Sequence, residues 1–251
     1  MYYYIYDNYL NEAKYSNTLS KIESRLADFG INGKITRISP LKNLKLTLRD
    51  DLNQGIKTVV VVGNDKTLNQ IINLLPNLSL TLGFIPVGPN NNLCNIFGIP
   101  EGEEACNILS QRIIEKISLG LINDHYYFIS YLEMSGDNIN INCNDDYYIS
   151  VDKKNSIITV SNIYYGEYTN KIPLVNNNNW LNLVIKNVNK KIFSQSKEFF
   201  SYFKAKKIKI DSDKSIPILL IDEKRIIKNP IKVNLAPEKI NLIVGKNRKY
   251  N

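Results

Sequence analysis

The chain has 251 residues, of which 43% are hydrophobic and 22% charged, so it is long enough for one large globular domain or two modest ones. Its formal charge of +8 favours an anionic partner, but no helix-turn-helix, zinc-finger or aromatic RNA-binding signature accompanies the lysines, so a nucleic acid is not expected. No apolar run approaches the ~18 residues of a membrane span and no signal peptide is recognisable, which predicts a cytoplasmic protein.

The first half of the chain alternates strand and helix signals, which implies a parallel sheet with right-handed crossovers. Each helix signal is an amphipathic period with a capping residue or a glycine at its end. In chain order we predict a strand at about 2–6, a helix from about Asn11 to Phe29, a strand over Gly33–Ile38, a helix opened by Ser39-Pro40 and ending near Gly55, strands at 58–62 and 82–85 with helices starting at Thr67 and about Asn91, and a helix at about 102–111.

After about residue 120 the pattern changes to short alternating runs separated by Asn, Asp and Gly, which is typical of antiparallel strands. One segment, about 190–203, looks helical. The break near 121–125 therefore predicts an α/β domain with a parallel sheet over residues 1–122, followed by a β-rich, antiparallel, sandwich-like domain over 123–251.

Three residue types in the chain invite a functional reading, but each has a simpler structural one. Trp180 opens a predicted strand, so core packing is its expected role. His125 is the only histidine, and we expect it to be structural or partly buried rather than catalytic. The three cysteines are an odd number without close pairing, which argues against a disulfide framework or a zinc site.

The first candidate site follows the β-branched run Lys57–Val62, which suits a strand buried on both faces. The turn after it, Gly63-Asn64-Asp65-Lys66-Thr67, leads into a helix. A glycine there permits close approach of a phosphate, and a helix N-terminus presents unpaired N–H groups with a partial positive charge. Two readings stay open: the turn binds a nucleotide phosphate, or Asp65 or Thr67 simply caps the helix. Lys66 could contact that phosphate or close the loop against it.

The second candidate site repeats this arrangement further along the chain. A short apolar strand runs into Pro86-Val87-Gly88-Pro89-Asn90-Asn91-Asn92, a new helix follows, and Gly98-Ile99-Pro100 closes it. Open α/β sheets bind ligands beyond the carboxyl ends of their parallel strands. We therefore predict that Gly63 and Gly88 lie in neighbouring turns at the same edge of the sheet.

This pair of turns resembles the diacylglycerol kinase catalytic domain family, lipid kinases that share their nucleotide-binding core with sphingosine kinases and NAD kinases. Its members carry Gly-Gly-Asp-Gly-Thr, then Pro-x-Gly-Thr-x-Asn-Asp, then Gly-Ile-Pro, which match residues 63–67, 86–92 and 98–100 here. The resemblance continues through 117–120, 127–130 and 221–223. The chain departs from the family pattern at Asn64, Lys66, Pro89, Asn92 and Ser118.

The resemblance implies a lipid kinase that uses ATP and Mg²⁺ to phosphorylate a diacylglycerol-like hydroxyl between its two domains. The basic charge balance would help it dock peripherally on the anionic inner face of a membrane. The resemblance assigns Asp222 as catalytic base and Glu223 as its support, although the family glycine between them is missing and a polar hairpin turn is the alternative. It leaves the metal ligands unspecified. The nucleotide-binding residues it implies are Gly63, Asn64, Asp65, Lys66, Thr67, Gly88, Asn91 and Asn92.

The replaced motif residues keep a rival reading open. In that reading the chain is a catalytically inactive descendant that binds nucleotide or lipid as a sensor or scaffold. NAD kinase activity is a third reading, less well matched by residues 86–100.

Overall fold

The computed structural model describes residues 1–39, 44–52, 55–75, 78–136, 138–152, 156–163, 179–189, 197–213, 215–221 and 223–249. Two compact units make up the chain: unit 1 comprises Met1–Ile117 and Glu238–Asn251, and unit 2 comprises Ser118–Pro237. The division expected from the sequence puts the last residues in the second domain, whereas here they lie in unit 1.

Unit 1 alternates strands and helices, which confirms the predicted α/β class. Its sheet has the order β2-β1-β3-β4, and each of these pairings is parallel. Every residue of β3 is buried, as its β-branched sequence predicts for a central strand. The elements are β1 (Tyr2–Tyr6), α1 (Ser16–Asp28), β2 (Gly33–Arg37), α2 (Leu44–Leu52), β3 (Thr58–Gly63), α3 (Asp65–Leu74), β4 (Thr81–Pro86), α4 (Asn92–Phe97), α5 (Ala105–Gln111) and β5 (Ile114–Ile122), with 3-10 helices at Asn8–Asn11, Ala13–Tyr15 and Gly102–Glu104.

The described part of unit 2 is built from antiparallel strands, which confirms the predicted β-rich class. The strands are β6 (Tyr126–Phe128), β7 (Tyr131–Gly136), β8 (Ile139–Cys143), β9 (Tyr147–Val151), β10 (Ser156–Ser161), β11 (Leu181–Asn189), β12 (Lys197–Ala205), β13 (Lys207–Ser212), β14 (Pro217–Leu220), β15 (Glu223–Ile226) and β16 (Ile231–Ile243). One sheet has the order β16-β13-β8-β9 and the other β12-β11-β10-β7-β14-β15. Apolar side chains from both sheets share one core, including Leu132 and Ile158 from the second and Ile141 and Ile208 from the first, which is the arrangement of a sandwich.

Sheet pairing overrides the helical pattern predicted at about 190–203. Residues 197–203 belong to β12, which pairs with β11 through nine residue pairs, and 190–196 lie outside the described residues. Tertiary pairing of this kind commonly outweighs local propensity. Trp180 is also not a core residue: its side chain is 36% exposed, and the Nζ of Lys206 lies 5.1 Å from its ring centroid.

One predicted helix start differs from the structure by several residues, and another cannot be compared with it. The helix expected from Asn11 begins at Ser16, because two 3-10 turns occupy the preceding residues. The predicted cap at Ser39-Pro40 cannot be compared, since Pro40 lies outside the described residues.

The Gly98-Ile99-Pro100 stretch is explained by close backbone packing at the end of α4. Gly98 is the left-handed C-cap of the helix, with φ 64°, and its N–H donates to the Cys94 carbonyl. A Cβ on Gly98 would lie 2.8 Å from the backbone nitrogen of Arg248. The C-terminal segment is held there by hydrogen bonds from the Gly245 and Lys249 amides to the carbonyls of residues 97 and 96, at 2.8 and 2.7 Å.

Gly98→Ala should therefore cost more free energy of unfolding than the matched variant Gly30→Ala. Both glycines have φ 64°, but nothing lies within 4 Å of a Cβ on Gly30. We expect about 1–2 kcal/mol for Gly30→Ala from the left-handed backbone alone. Gly98→Ala should add about 1–3 kcal/mol, because the backbone of Arg248 must move. Urea unfolding of both variants measures the difference, and equal costs would contradict the close packing.

Candidate functional site

The two glycine turns lie side by side at the carboxyl ends of β3 and β4. The parallel register places Gly63 opposite Pro86, and the Val87 amide donates to the Gly63 carbonyl at 2.8 Å. The Asp65 amide donates to the Asn90 carbonyl at 3.3 Å. The prediction that both turns share one edge of the sheet is confirmed.

Asp65 links the two turns through its side chain. It is the first residue of α3 and only 3% exposed, and its Oδ2 accepts a hydrogen bond from the Leu93 amide at 3.0 Å. Leu93 is the second residue of α4, so one carboxylate lies at the N-termini of two helices, where negative charge is favourable. The buried Asp65 is therefore a structural link between the loops.

Asn64, and neither Asp65 nor Thr67, is the N-cap of α3. Its Oδ1 accepts from the Thr67 amide at 3.1 Å, and its own amide donates to the Thr67 hydroxyl at 3.2 Å. This is a reciprocal capping box. The Asn64 backbone is extended, with φ −115° and ψ −176°, so left-handed geometry is not required there. Gly63 is needed for space instead, because a Cβ would lie 2.6 Å from the Thr67 Oγ1.

Asp7 joins the first turn although the sequence analysis did not single it out. The Thr67 hydroxyl donates to the Oδ2 of Asp7, and the Tyr9 amide donates to its Oδ1 at 3.3 Å. The available signal was its position: Asp7 directly follows β1, which pairs in parallel with β3, so it reaches the same edge of the sheet. The Asp7 carboxylate thus lies beside the N-terminus of α3.

Tyr9 covers the second turn. Its hydroxyl donates to the Val87 carbonyl at 2.6 Å, and its ring lies edge-on to Tyr15 with centroids 5.6 Å apart. Burial, with a further contribution from the Asp7 charge, raises the pKa of Tyr9 well above its usual value, so the hydroxyl remains a donor. Gly88 has φ 91°, and a Cβ on it would lie 3.0 Å from the Tyr9 ring. At this turn the glycine is required by both conformation and space.

Asn91 presents an unused hydrogen-bond acceptor in the second turn. The residue is 7% exposed, and its Nδ2 donates to the Gly88 carbonyl at 2.7 Å and to Glu101 at 3.3 Å. Its buried Oδ1 has no partner among the described residues. Buried polar atoms are nearly always satisfied, so this oxygen is available to a ligand donor.

The remaining predicted nucleotide-binding residues are exposed at the helix starts. Lys66 occupies the second position of α3, with its side chain exposed, and Asn92 is the first residue of α4. Both turns are therefore polar and solvent-accessible at their outer surface, while Asp65, Thr67 and Asn91 are buried.

Of the two predicted catalytic residues, Asp222 lies outside the described residues. Glu223 opens β15, where it is the cross-strand partner of Leu220 in β14. Its Oε2 lies 3.0 Å from the guanidinium of Arg225, and both side chains are 35% exposed. This ion pair fixes the direction of the Glu223 carboxylate within unit 2.

Metal-binding groups are sparse in the described part of the chain. No cluster of three His, Cys, Asp or Glu side chains there could hold a metal ion. His125 is exposed rather than partly buried, with its Nδ1 2.6 Å from the Asn123 carbonyl. The three cysteines are buried free thiols. Within the described ranges, no helix has the length and apolarity needed to cross a bilayer.

Comparisons with known proteins agree on one family. The model of the diacylglycerol kinase catalytic domain matches residues 2–122. A diacylglycerol kinase of Bacillus subtilis (strain 168) is 32% identical over 73 residues, a match that spans 28% of this chain and about a quarter, 24%, of that protein.

Solved structures share the fold along nearly the whole chain. A diacylglycerol kinase from Bacillus anthracis str. Sterne has a TM-score of 0.73 and 18% identity over 98% of this chain and 97% of its own. A putative diacylglycerol kinase from the same strain gives a TM-score of 0.76 at 17% identity, with the same coverage of both chains. Residues 2–122 therefore resemble the diacylglycerol kinase catalytic domain, with several motif residues replaced, and the whole chain shares its fold with these solved structures.

Proposed function

We propose that this chain is an ATP-dependent lipid kinase that transfers the γ-phosphoryl group of ATP to the hydroxyl of a diacylglycerol-like lipid. The matched domain and the names of the relatives support this reaction class. The observation that carries the proposal is the buried, unpartnered Oδ1 of Asn91 beside two adjoining turns. The chain charge of +8 supports peripheral docking on an anionic membrane surface, where a lipid substrate resides.

Asn91 would recognise the nucleotide through its amide oxygen. The Nδ2 of the same side chain is already held by Gly88 and Glu101, so the direction of the oxygen is set before any ligand binds. An N–H or O–H donor of the nucleotide restores the hydrogen bond that this buried oxygen lacks. The site is thus preorganised for a donor and discriminates against a ligand without one.

The proposed transfer relies on positioning and charge more than on covalent chemistry. Asp222, in the role the family motif implies, accepts the proton of the lipid hydroxyl as its oxygen bonds to the γ-phosphorus and ADP leaves. The exposed ammonium of Lys66 lies near the first turn as a source of positive charge. Mg²⁺ would supply further charge neutralisation when bound with ATP. The described part of the chain holds no group of three His, Cys, Asp or Glu side chains that could bind a metal ion, so no step is assigned to the metal.

A second function, nucleotide or lipid binding without transfer, is favoured by the Asp7–Thr67–Asn64 network. The Thr67 hydroxyl and amide are both engaged within the chain. The Asp7 carboxylate lies beside the N-terminus of α3, where a phosphate would otherwise be attracted. A phosphate approaching this helix would therefore meet a charge of its own sign.

Asn91→Ala should weaken ATP binding about threefold to tenfold, the loss expected for one neutral hydrogen bond. The matched control is Asn95→Ala, which removes an exposed amide from the same helix and should leave the affinity unchanged. Calorimetry with and without Mg²⁺ measures the affinities, and thermal midpoints check that both variants fold. If the unsubstituted protein does not bind ATP, or if Asn91→Ala binds it with equal affinity, the proposed nucleotide site at Asn91 is wrong.

Asp222→Asn should abolish phosphoryl transfer while leaving ATP affinity nearly intact, because a general base acts in the chemical step. Asp211→Asn, an exposed carboxylate of unit 2, serves as the control. Transfer of labelled phosphate from ATP to diacylglycerol in mixed micelles is the measurement. Unchanged turnover in Asp222→Asn would exclude it as the base. If the unsubstituted protein binds ATP but transfers no phosphate, the result would contradict the kinase proposal and favour nucleotide binding without transfer.

Asp7→Asn should tighten ATP binding about tenfold, since it removes a like charge at the phosphate-binding end of α3 but keeps an acceptor for Thr67. Asp28→Asn changes the net charge equally at an exposed position in α1 and should have little effect. Calorimetry on both variants compares them. If the two affinities are the same, Asp7 does not compete with the phosphates. Transfer activity that appears only in Asp7→Asn would show that the Asp7–Thr67–Asn64 network prevents phosphoryl transfer in the unsubstituted chain.

A further inference from the structure

The solvent face of β16, β13 and β8 has a depression that is lined only by residues of unit 2. None of the residues of the two glycine turns lines it. Its volume is about 190 Å³, which is below the ~300–1,000 Å³ of typical pockets for drug-sized ligands and suits a small group. The residues that line it are Asn142, Asn144, Asp145, Lys207, Ile208, Lys209, Lys232 and Asn234.

Three lysines of this depression lie close enough together for their positive charges to repel one another. Lys209 and Lys232 are direct cross-strand partners, and Lys207 follows the same face two residues away. Like charges directly opposite each other destabilise a sheet. All three side chains are exposed, and none forms an ion pair within the described part of the chain. The three positive charges outnumber the one carboxylate, Asp145, that lines the same depression.

The backbone around the lysines is held firmly by asparagine side chains. The Oδ1 of Asn144 accepts from the amides of Lys206 and Lys207 at 2.8 and 3.1 Å. The Lys232 amide donates to the Oδ1 of Asn123 at 2.8 Å, and the Asn123 amide donates back to the Lys232 carbonyl at 2.9 Å. The backbone positions of Lys207 and Lys232 are therefore held, so binding a common ligand would restrict mainly the lysine side chains.

Most groups of the depression that are open to a ligand are hydrogen-bond donors. Its single carboxylate, Asp145, accepts from the Asn142 amide at 3.2 Å, and Asn234 donates to Asp124 at 3.1 Å. The Nδ2 of Asn144 makes no hydrogen bond with any described residue, so it adds a neutral donor to the three ammonium groups.

We infer that this depression binds a phosphate-bearing anion through Lys207, Lys209, Lys232 and the amide of Asn144. A phosphate group offers several acceptor oxygens and up to two negative charges, which matches several converging donors better than a single carboxylate does. It would also remove the repulsion between Lys209 and Lys232. The phosphate is either that of a small soluble molecule or the headgroup of an anionic phospholipid.

The test compares the full chain with Lys209→Gln and with the control Lys239→Gln, an exposed lysine on β16 outside the depression. Thermal unfolding is followed while sodium phosphate replaces sodium chloride at constant ionic strength, so that general screening is held fixed. Phosphate should raise the midpoint of the unsubstituted chain and of Lys239→Gln. Lys209→Gln should need at least about ten times more phosphate for the same shift. In chloride alone it should unfold no earlier than the unsubstituted chain, because repulsion is relieved.

A second arm distinguishes the two sources of phosphate. The same three proteins are sedimented with phosphatidylcholine vesicles with and without phosphatidic acid. Binding only to the acidic vesicles, lost in Lys209→Gln and kept in Lys239→Gln, identifies a lipid headgroup. A phosphate effect that survives in Asn91→Ala separates this site from the proposed nucleotide site. Equal behaviour of Lys209→Gln and Lys239→Gln in both arms would overturn the inference.

Discussion

The parallel pairing of β3 with β4 is the constraint on which the candidate site depends. Because its register places Gly63 opposite Pro86, both turns begin at the same level of the sheet. That coincidence allows one buried carboxylate, Asp65, to reach the first turn of α4 while it starts α3. A register slip of one residue would turn the buried side chains of β3 to the opposite face and break this link. The positions of the two turns are therefore set by the pairing of β3 with β4. They do not depend on the motif residues that are replaced in this chain.

The features that local patterns encode were predictable from the sequence. The buried run of β3, the helix after each glycine turn and the change to antiparallel strands all follow from periodicity and turn residues. The contacts of Asp7 with Thr67 and of Tyr9 with Val87 were not, because each joins residues more than fifty positions apart. The helix predicted at about 190–203 fails for a related reason: the local pattern does not encode the pairing with β11 that makes residues 197–203 part of a strand.

Matching a motif identifies the chemical groups in a loop but not the hydrogen bonds they make. Asn64 and Thr67 match a phosphate-binding pattern, yet in this chain they satisfy each other as a capping box. The two glycines also differ: Gly63 makes room for a side chain, whereas Gly88 adopts a conformation that other residues rarely reach. Asn91 shows the opposite case, since its open acceptor becomes visible only after the partners of its amide nitrogen are known.

The return of residues Glu238–Asn251 to unit 1 has a consequence for the order of folding during synthesis. The strands β1 to β4 leave the ribosome before β16, the strand that pairs with the side of β4 not covered by β3. Every residue of unit 2 is therefore available to fold while β4 still exposes an unpaired edge. Unpaired edges template intermolecular pairing, so the nascent chain exposes an aggregation-prone edge of β4 that β16 later covers. Slow translation of the residues between β4 and β16 would lengthen that interval and lower the yield of folded protein.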